Sequence, residues 1–188
     1  MRALSIYQTS SSLNRAVRRT VIFDTAEDYD AFVRVVRESL SRFKVKIIAY
    51  CLMPNHWHLL LWPRENGDLS TFMKWLSTTH AARWNKAHGL TGRGAVYQSR
   101  FKSVPVQEER HLLYVWRYIE RNPVNAQMVA RAENWRWSSL SSRQNDLHKL
   151  DKGPVDLPAD WKTLVNVALT NEELKIARCD EESRGQTP

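Results

Sequence analysis

A chain of 188 residues and 22.0 kDa has the length of one domain, or of one domain and a tail, and at 43% hydrophobic residues it is globular rather than disordered. No apolar run approaches the ~20 residues of a membrane span, and Met1 to Ser5 lacks the apolar core of a signal peptide, so a soluble, cytoplasmic protein with no membrane partner is expected. Two cysteines, Cys51 and Cys179, exclude a disulfide scaffold and a cysteine-based zinc ribbon, while the net charge of +8 points to an anionic partner.

In chain order, Leu4 to Thr9 is a candidate first strand, Ser10 to Asn14 reads as a loop or turn, and Arg19 to Thr25 (RTVIFDT) reads as a short strand. Thr25, with Asp28 three residues on, is an N-cap signal for a helix over Ala26 to Arg42, whose Tyr29, Phe32, Val33, Val36 and Leu40 share one face. Val45 to Met53 and His56 to Trp62 read as two strands joined by the tight turn Pro54-Asn55. A second helix starts at Asp68 or Ser70 and runs to about His88, followed by an exposed loop with Gly89, Gly92 and Gly94. Phe101 to Val106 reads as an edge strand, because Pro105 cannot donate to a ladder on both sides. A third helix begins near Glu108 and Glu109 and is expected to end by Asn122, since Pro123 follows. The order β-α-β-β-α-β-α without regular parallel crossovers predicts an α+β fold, an antiparallel sheet flanked by helices. Residues 1–145 are expected to form the main domain. Residues 146–188 are expected to be a peripheral, partly helical C-terminal appendage, with one or two helices in Asp160 to Ala177 and a frayed acidic end at Asp180 to Glu182.

The charge is unevenly spread. Residues 70–145 carry a net +8 and no aspartate, whereas residues 146–188 carry a net −3. Interleaved with Trp75, Trp84, Tyr97, Phe101, Trp116 and Tyr118, the basic segment has the composition of a nucleic-acid groove, in which cations neutralise phosphates and aromatics stack on unpaired bases. A solvated basic surface over buried aromatics would have the same composition.

The sharpest local motif is Pro54-Asn55-His56-Trp57-His58. On a strand, His56 and His58 project from one face and can ligate one divalent cation, while Trp57, Leu59 and Leu61 face the other way. An H-x-H pair is also compatible with two histidines merely ending an apolar strand, and a metal site needs a third ligand. On the third helix Tyr114, Tyr118 and Asn122 share a face at i, i+4 and i+8, with Leu112, Val115, Trp116 and Ile119 as the buried stripe. Arg117 and Arg121, one step around, are candidates to hold phosphates. Packing tyrosines and a helix-ending asparagine would give the same spacing. Together the pieces suggest that a metal held by His56, His58 and a third ligand polarises a phosphodiester while a tyrosine attacks phosphorus, giving a covalent phosphotyrosine.

Four ordered blocks carry a resemblance. MPNHxHLLL stands at Met53 to Leu61, YQxRFKS at Tyr97 to Ser103, RYIExNPVxA at Arg117 to Ala126 and WxWSS at Trp135 to Ser139. In these the chain resembles the REP-associated tyrosine transposases, bacterial members of the HUH single-strand nuclease superfamily, over roughly residues 1–145. The resemblance implies a ferredoxin-like sheet with the two histidines on a central strand and the catalytic tyrosine on a helix. It matches Tyr118 and Asn122 to a Tyr-x-x-x-Gln motif, making Tyr118 the nucleophile and Asn122, one methylene short of Gln, the third ligand of Mg2+ or Mn2+, with Tyr114 as the back-up nucleophile. It implies cleavage and joining of single-stranded DNA at REP-type palindromic hairpins. Arg100, Lys102, Arg117 and Arg121 then become candidate phosphate contacts, and the Gly89 to Gly94 loop with Arg93 a candidate clasp on the hairpin.

The segment Ser5 to Ser10 departs from the aromatic-His-Val strand and Arg-Gly turn of such proteins, which leaves the base sequence of the substrate open. Two other classes fit the same chain: a domesticated hairpin binder that does not cut, and a metal phosphodiesterase that activates water and forms no adduct. The oligomeric state is open. Related enzymes work as dimers that exchange tyrosine helices, but a long C-terminal segment packed on its own core would favour a monomer.

Overall fold

Local signals position the first helix. The computed structural model describes residues 9–64, 68–98, 101–106, 108–141 and 150–178. Helix α1 (Ala26–Arg42) opens on the expected capping box: Thr25 Oγ1 accepts from the Asp28 N–H, and Asp28 Oδ2 accepts from the Thr25 N–H. Strands β2 (Val45–Met53) and β3 (His56–Pro63) flank the Pro54-Asn55 turn as predicted. Helix α2 (Asp68–Ala87) follows, and the Gly89, Gly92 and Gly94 turns beyond it take positive φ in open space.

The first strand is not where composition places it. Ser10–Arg15, expected as a loop, is the strand β1, hydrogen-bonded between β3 and β4 (Lys102–Pro105). Serine clusters read as turns, yet here their small side chains alternate between a buried and a half-buried face of a strand. Ser10, Ser12 and Asn14 are buried on one face, Ser12 Oγ pairs with Ser103 Oγ at 3.1 Å, and Asn14 Nδ2 donates to Ser77 Oγ on α2. Most of the candidate strand Leu4 to Thr9 lies outside the described residues, and Thr9 itself precedes β1. Arg19 to Thr25 is not a strand either. A 3-10 turn covers Val17–Arg19, and the Ile22 and Phe23 amides both donate to Pro54 O, bracing the β2–β3 turn instead of a ladder.

The sheet order is β2-β3-β1-β4 with every neighbour antiparallel, the ferredoxin-like arrangement. β4 is an edge strand, as Pro105 requires. β3 is central and buried on both faces, which is why it reads as a nearly continuous apolar run. Trp57, Leu59 and Leu61 face a core shared with Phe32 of α1 and Phe72 and Met73 of α2. His56, His58, Leu60 and Trp62 take the opposite face. A register shift between Ile47 and Ala49 brings Ala49, Cys51 and Met53 to that same face, in a second core under helix α3 (Glu109–Asn125).

Helix α3 buries Leu112, Val115, Trp116 and Ile119 as predicted but runs through Pro123 for one further turn. Asn122 stays helical and adds an Nδ2 donor to Tyr118 O, and the chain turns out only at Gln127, with φ of 57°. The Trp135 to Ser139 block covers the outer edge of β2: Leu52 N donates to Trp137 O and Tyr50 N to Ser139 Oγ.

Beyond it, helices α4 (Trp161–Asn166) and α5 (Asn171–Arg178) fill the predicted helical region but are not a peripheral appendage. Trp161 and Val165 are buried in the α3 core, and Trp161 Nε1 donates to the fully buried Glu120 carboxylate, which also accepts from Trp116 Nε1 and Ser139 Oγ. Tryptophan burial of this kind anchors a tail firmly. The acidic end Asp180 to Glu182 lies outside the described residues. Among the described residues no helix is long and apolar enough to cross a membrane.

Candidate active site

The site lies where β3 passes beneath α3. Two-residue periodicity puts His56 and His58 on the α3 face, ring centroids 5.1 Å apart. His58 is 3% exposed and His56 is half-buried. Burial, reinforced by the Arg15 charge, holds the His56 imidazole down to about 4. Burial, then the neighbouring His56 and Arg15, holds His58 well below its ordinary value. Both rings are therefore neutral at pH 7, the form that ligates metals. His56 Nδ1 is hydrogen-bonded to Asn55 Oδ1 at 2.6 Å, and Asn55 Nδ2 in turn donates to Arg19 O. That bond makes Nδ1 the donor and leaves the Nε2 lone pair for a ligand.

Helix α3 brings Tyr118 to this pair. Its ring stands edge-on to His58, with centroids 5.9 Å apart and planes at 89°. From the other side it is covered by Leu169 and Ala177, and the Arg178 guanidinium lies 5.5 Å from its ring centre. Asn122 sits one turn further along. Its Nδ2 is taken by Tyr118 O, which leaves the carboxamide oxygen to accept or ligate. Tyr114 differs: its hydroxyl accepts from Arg110 Nε at 2.8 Å on the exposed side. Among the described residues there is no cluster of three His, Cys, Asp or Glu side chains; the donors this site could offer a cation are the two imidazoles and, one turn beyond Tyr118, the Asn122 carboxamide oxygen. Such neutral donors could hold a divalent cation.

The candidate phosphate contacts divide. Arg93 is exposed in the glycine turn, and Lys102 on β4 lies in the same register row as Leu13 and His58, on the histidine face of the sheet. Arg100 lies outside the described residues. Arg117 and Arg121 do not present a phosphate surface. Arg117 Nε donates to Leu164 O at 2.8 Å, its Nη2 to Val167 O and Ala168 O, and its Nη1 pairs with Glu173. Arg121 Nη1 donates to Val165 O and Asn166 O. Both guanidinium groups are buried and hold the chain's own tail. The helical position was legible; the partner, more than 40 residues downstream, was not.

Three residues at the site escaped the sequence reading. Asn55 is a carboxamide in the turn just before the first histidine, a position the sequence itself displays. Arg15 is opposite His56 only in the register of a strand that composition had hidden. Arg178 ends a short tail helix and carries no sequence signal.

Known proteins fall in with this geometry. The chain is 24% identical over 143 residues, 71% of its own length and 77% of the relative's, to a Haemophilus influenzae protein described as "Putative REP-associated tyrosine transposase". Its fold matches the solved structure of a REP-associated tyrosine transposase bound to a REP hairpin, with a TM-score of 0.62 at 18% identity over 81% of this chain and 90% of that one. The family described as "Transposase IS200 like" matches residues 13–122, from β1 through both histidines and Tyr118 to Asn122. With more than half of its length so matched, the chain belongs to the IS200-like transposase family.

Proposed function

We propose that this protein is a REP-associated transposase that cuts and rejoins single-stranded DNA beside REP-type palindromic hairpins through a 5′-phosphotyrosine on Tyr118. The observation that carries the reading is the edge-on contact of Tyr118 with His58, which sets a phenol beside a pair of neutral imidazoles. His56, His58 and Asn122 are the residues that would hold Mg2+ or Mn2+, and such an ion supplies Lewis-acid polarisation of the scissile phosphate. Tyr118 supplies the nucleophile: its phenolic oxygen bonds to phosphorus as the bond from phosphorus to the 3′ oxygen breaks, and the phenolic proton ends on the released 3′-hydroxyl. The phosphodiester energy stays in the adduct, so a strand can be rejoined. Rigid placement comes from β3, central and buried on both faces, and from α3, anchored through Glu120, which accepts from Ser139 Oγ and Trp161 Nε1.

The net +8 of residues 70–145 supplies attraction for the DNA backbone, with Lys102 and Arg93 as its candidate contacts. One chain brings its own Tyr118 to its own His58, and we read the active unit as a monomer working on chromosomal DNA in the bacterial cytoplasm. The test is covalent trapping on a hairpin oligonucleotide with both flanks, labelled at each end, in Mg2+ or Mn2+. A protein-linked band carrying only the 3′ part of the strand, present in wild type and absent from Tyr118→Phe, is the expected result. Cleavage without adduct in both proteins would establish a water-using nuclease, and binding without cleavage of any substrate would establish a binder.

A further inference from the structure

β1 carries a cation into the site. Its burial alternates, with Ser10, Ser12 and Asn14 buried on the face where Asn14 meets Ser77 of α2, so Ser11, Leu13 and Arg15 lie on the α3 face with the histidines. In the antiparallel register Leu13 is opposite His58 and Arg15 is opposite His56. Directly opposed residues have Cβ atoms about 4.5–5.5 Å apart, so the guanidinium stem starts beside the His56 ring. The backbone of Arg15 is fixed on both sides, its N–H donating to Asn14 Oδ1 and its carbonyl accepting from the Gln98 N–H.

Among the described residues the charge of Arg15 has no counter-ion. Arg83, Arg117 and Arg131 each pair with a glutamate, but among the described residues the half-buried Arg15 side chain makes no ion pair or hydrogen bond. Its register partner is His56, with Leu13 and His58 the next pair along the same face, so its charge stands beside the histidine pair. A cation partly withdrawn from water, facing two imidazoles and with no carboxylate partner among the described residues, is a site for an anion. A guanidinium on a strand offers the planar fork that matches two phosphate oxygens.

We infer that Arg15 binds the non-bridging oxygens of the scissile phosphate at the His56–His58 pair and orients it for attack by Tyr118. The inference rests on the proposed function and adds to it a phosphate-binding residue from β1.

The test couples the residue to individual phosphates. Oligonucleotides carrying one neutral methylphosphonate at each position of the unpaired flank are bound to Tyr118→Phe protein, with and without Arg15→Gln, after the cleavage position has been mapped on wild type. On native DNA, Arg15→Gln is expected to weaken binding about 5- to 10-fold and, in the Tyr118 protein, to slow adduct formation about 100-fold at saturating DNA. With the methylphosphonate at the scissile position, the Arg15→Gln effect on binding should vanish to within about twofold, while at other positions it should persist. Arg15→Lys, which keeps charge and loses the fork, should recover binding better than rate. Equal melting temperatures for the three proteins are expected of a half-buried side chain without partners. Coupling at another phosphate, at none, or unchanged adduct kinetics in Arg15→Gln would overturn the inference and leave the proposed function standing. If wild type forms no adduct on any substrate, the proposed function fails first and takes this inference with it.

Discussion

The Tyr118 ring meets the His58 imidazole edge-on at 5.9 Å, while the hydroxyl of Tyr114, one turn earlier on the same helix face, accepts from Arg110 Nε. Two phenols with the same spacing signal thus have different environments, and only one adjoins the histidine pair. Tyr118→Phe keeps the ring that packs against Leu169 and Ala177, so its stability should change by less than about 1 kcal/mol, while adduct formation is lost. Tyr114→Phe should retain adduct formation within a few-fold. A denaturing gel of trapped protein, with thermal melts as control, checks both; an adduct that survives in Tyr118→Phe and disappears in Tyr114→Phe would reverse the assignment.

Asn55 acts on the site through His56. Its Oδ1 fixes Nδ1 as the donor and so leaves Nε2 as the ligating nitrogen. Asn55→Ala frees the ring to rotate and to change tautomer, and losses of such supporting bonds cost about 10- to 100-fold in metal affinity. Mn2+ binding followed by electron paramagnetic resonance should weaken by that factor in Asn55→Ala, and more in His56→Gln or His58→Gln. Asn55→Asp, which keeps an acceptor in place, should recover most of the affinity.

The legible parts of this chain are those whose signals are local. The Thr25–Asp28 box, the Pro54-Asn55 turn and the two-residue period of His56 and His58 each depend on neighbours in sequence, and each lies where the pattern puts it. β1 was hidden because Ser10, Ser12 and Asn14 are accepted in a strand only by groups far away, Ser103 and Ser77 among them. Arg19 to Thr25 misled in the opposite sense. Its β-branched residues resemble a strand, but the Ile22 and Phe23 amides are used up on Pro54 O. Arginine charge alone does not tell a phosphate partner from a peptide carbonyl, and the carbonyls that Arg117 and Arg121 hold lie more than 40 residues downstream.

That distinction is measurable. A phosphate contact releases counter-ions, and its removal lowers the slope of log K against log salt by about 0.7 to 0.9. Arg117→Gln should leave the slope of DNA binding unchanged, whereas Lys102→Gln should lower it. What Arg117→Gln should lose is stability: a buried charged donor to three carbonyls and Glu173 is worth about 2–3 kcal/mol, or on the order of 5–10 °C in Tm. Amide hydrogen exchange over residues 164–178 should quicken ahead of the sheet, since α4 and α5 lose the clamp that joins them to α3.

The reverse face of β3 carries a pH dependence. Trp57, between the two site histidines, donates Nε1–H to the Tyr97 hydroxyl at 2.9 Å, and that hydroxyl donates to His80 Nδ1 at 2.6 Å. His80 is packed against Phe23 and Phe32 and is 2% exposed, and burial holds its imidazole down to about 3. In the unfolded chain it titrates near the ordinary 6.5. As pH falls below 6.5 the unfolded state takes up a proton that the folded state refuses. Stability is therefore whole above 6.5 and is lost progressively from there toward the folded value of about 3, with a slope of up to about 1.4 kcal/mol per pH unit. At pH 5 the loss from His80 is about 2 kcal/mol, set almost wholly by the unfolded value; His56 and His58, both depressed, act in the same direction. Urea unfolding at pH 7 and pH 5 checks this with His80→Gln, whose side-chain oxygen can still accept from Tyr97 but cannot titrate. The variant should be the less stable protein at pH 7, yet lose about 2 kcal/mol less than wild type between the two pH values. Equal losses in the two proteins would mean that His80 carries its proton in the folded state, and that the Tyr97 hydroxyl accepts from it rather than donates.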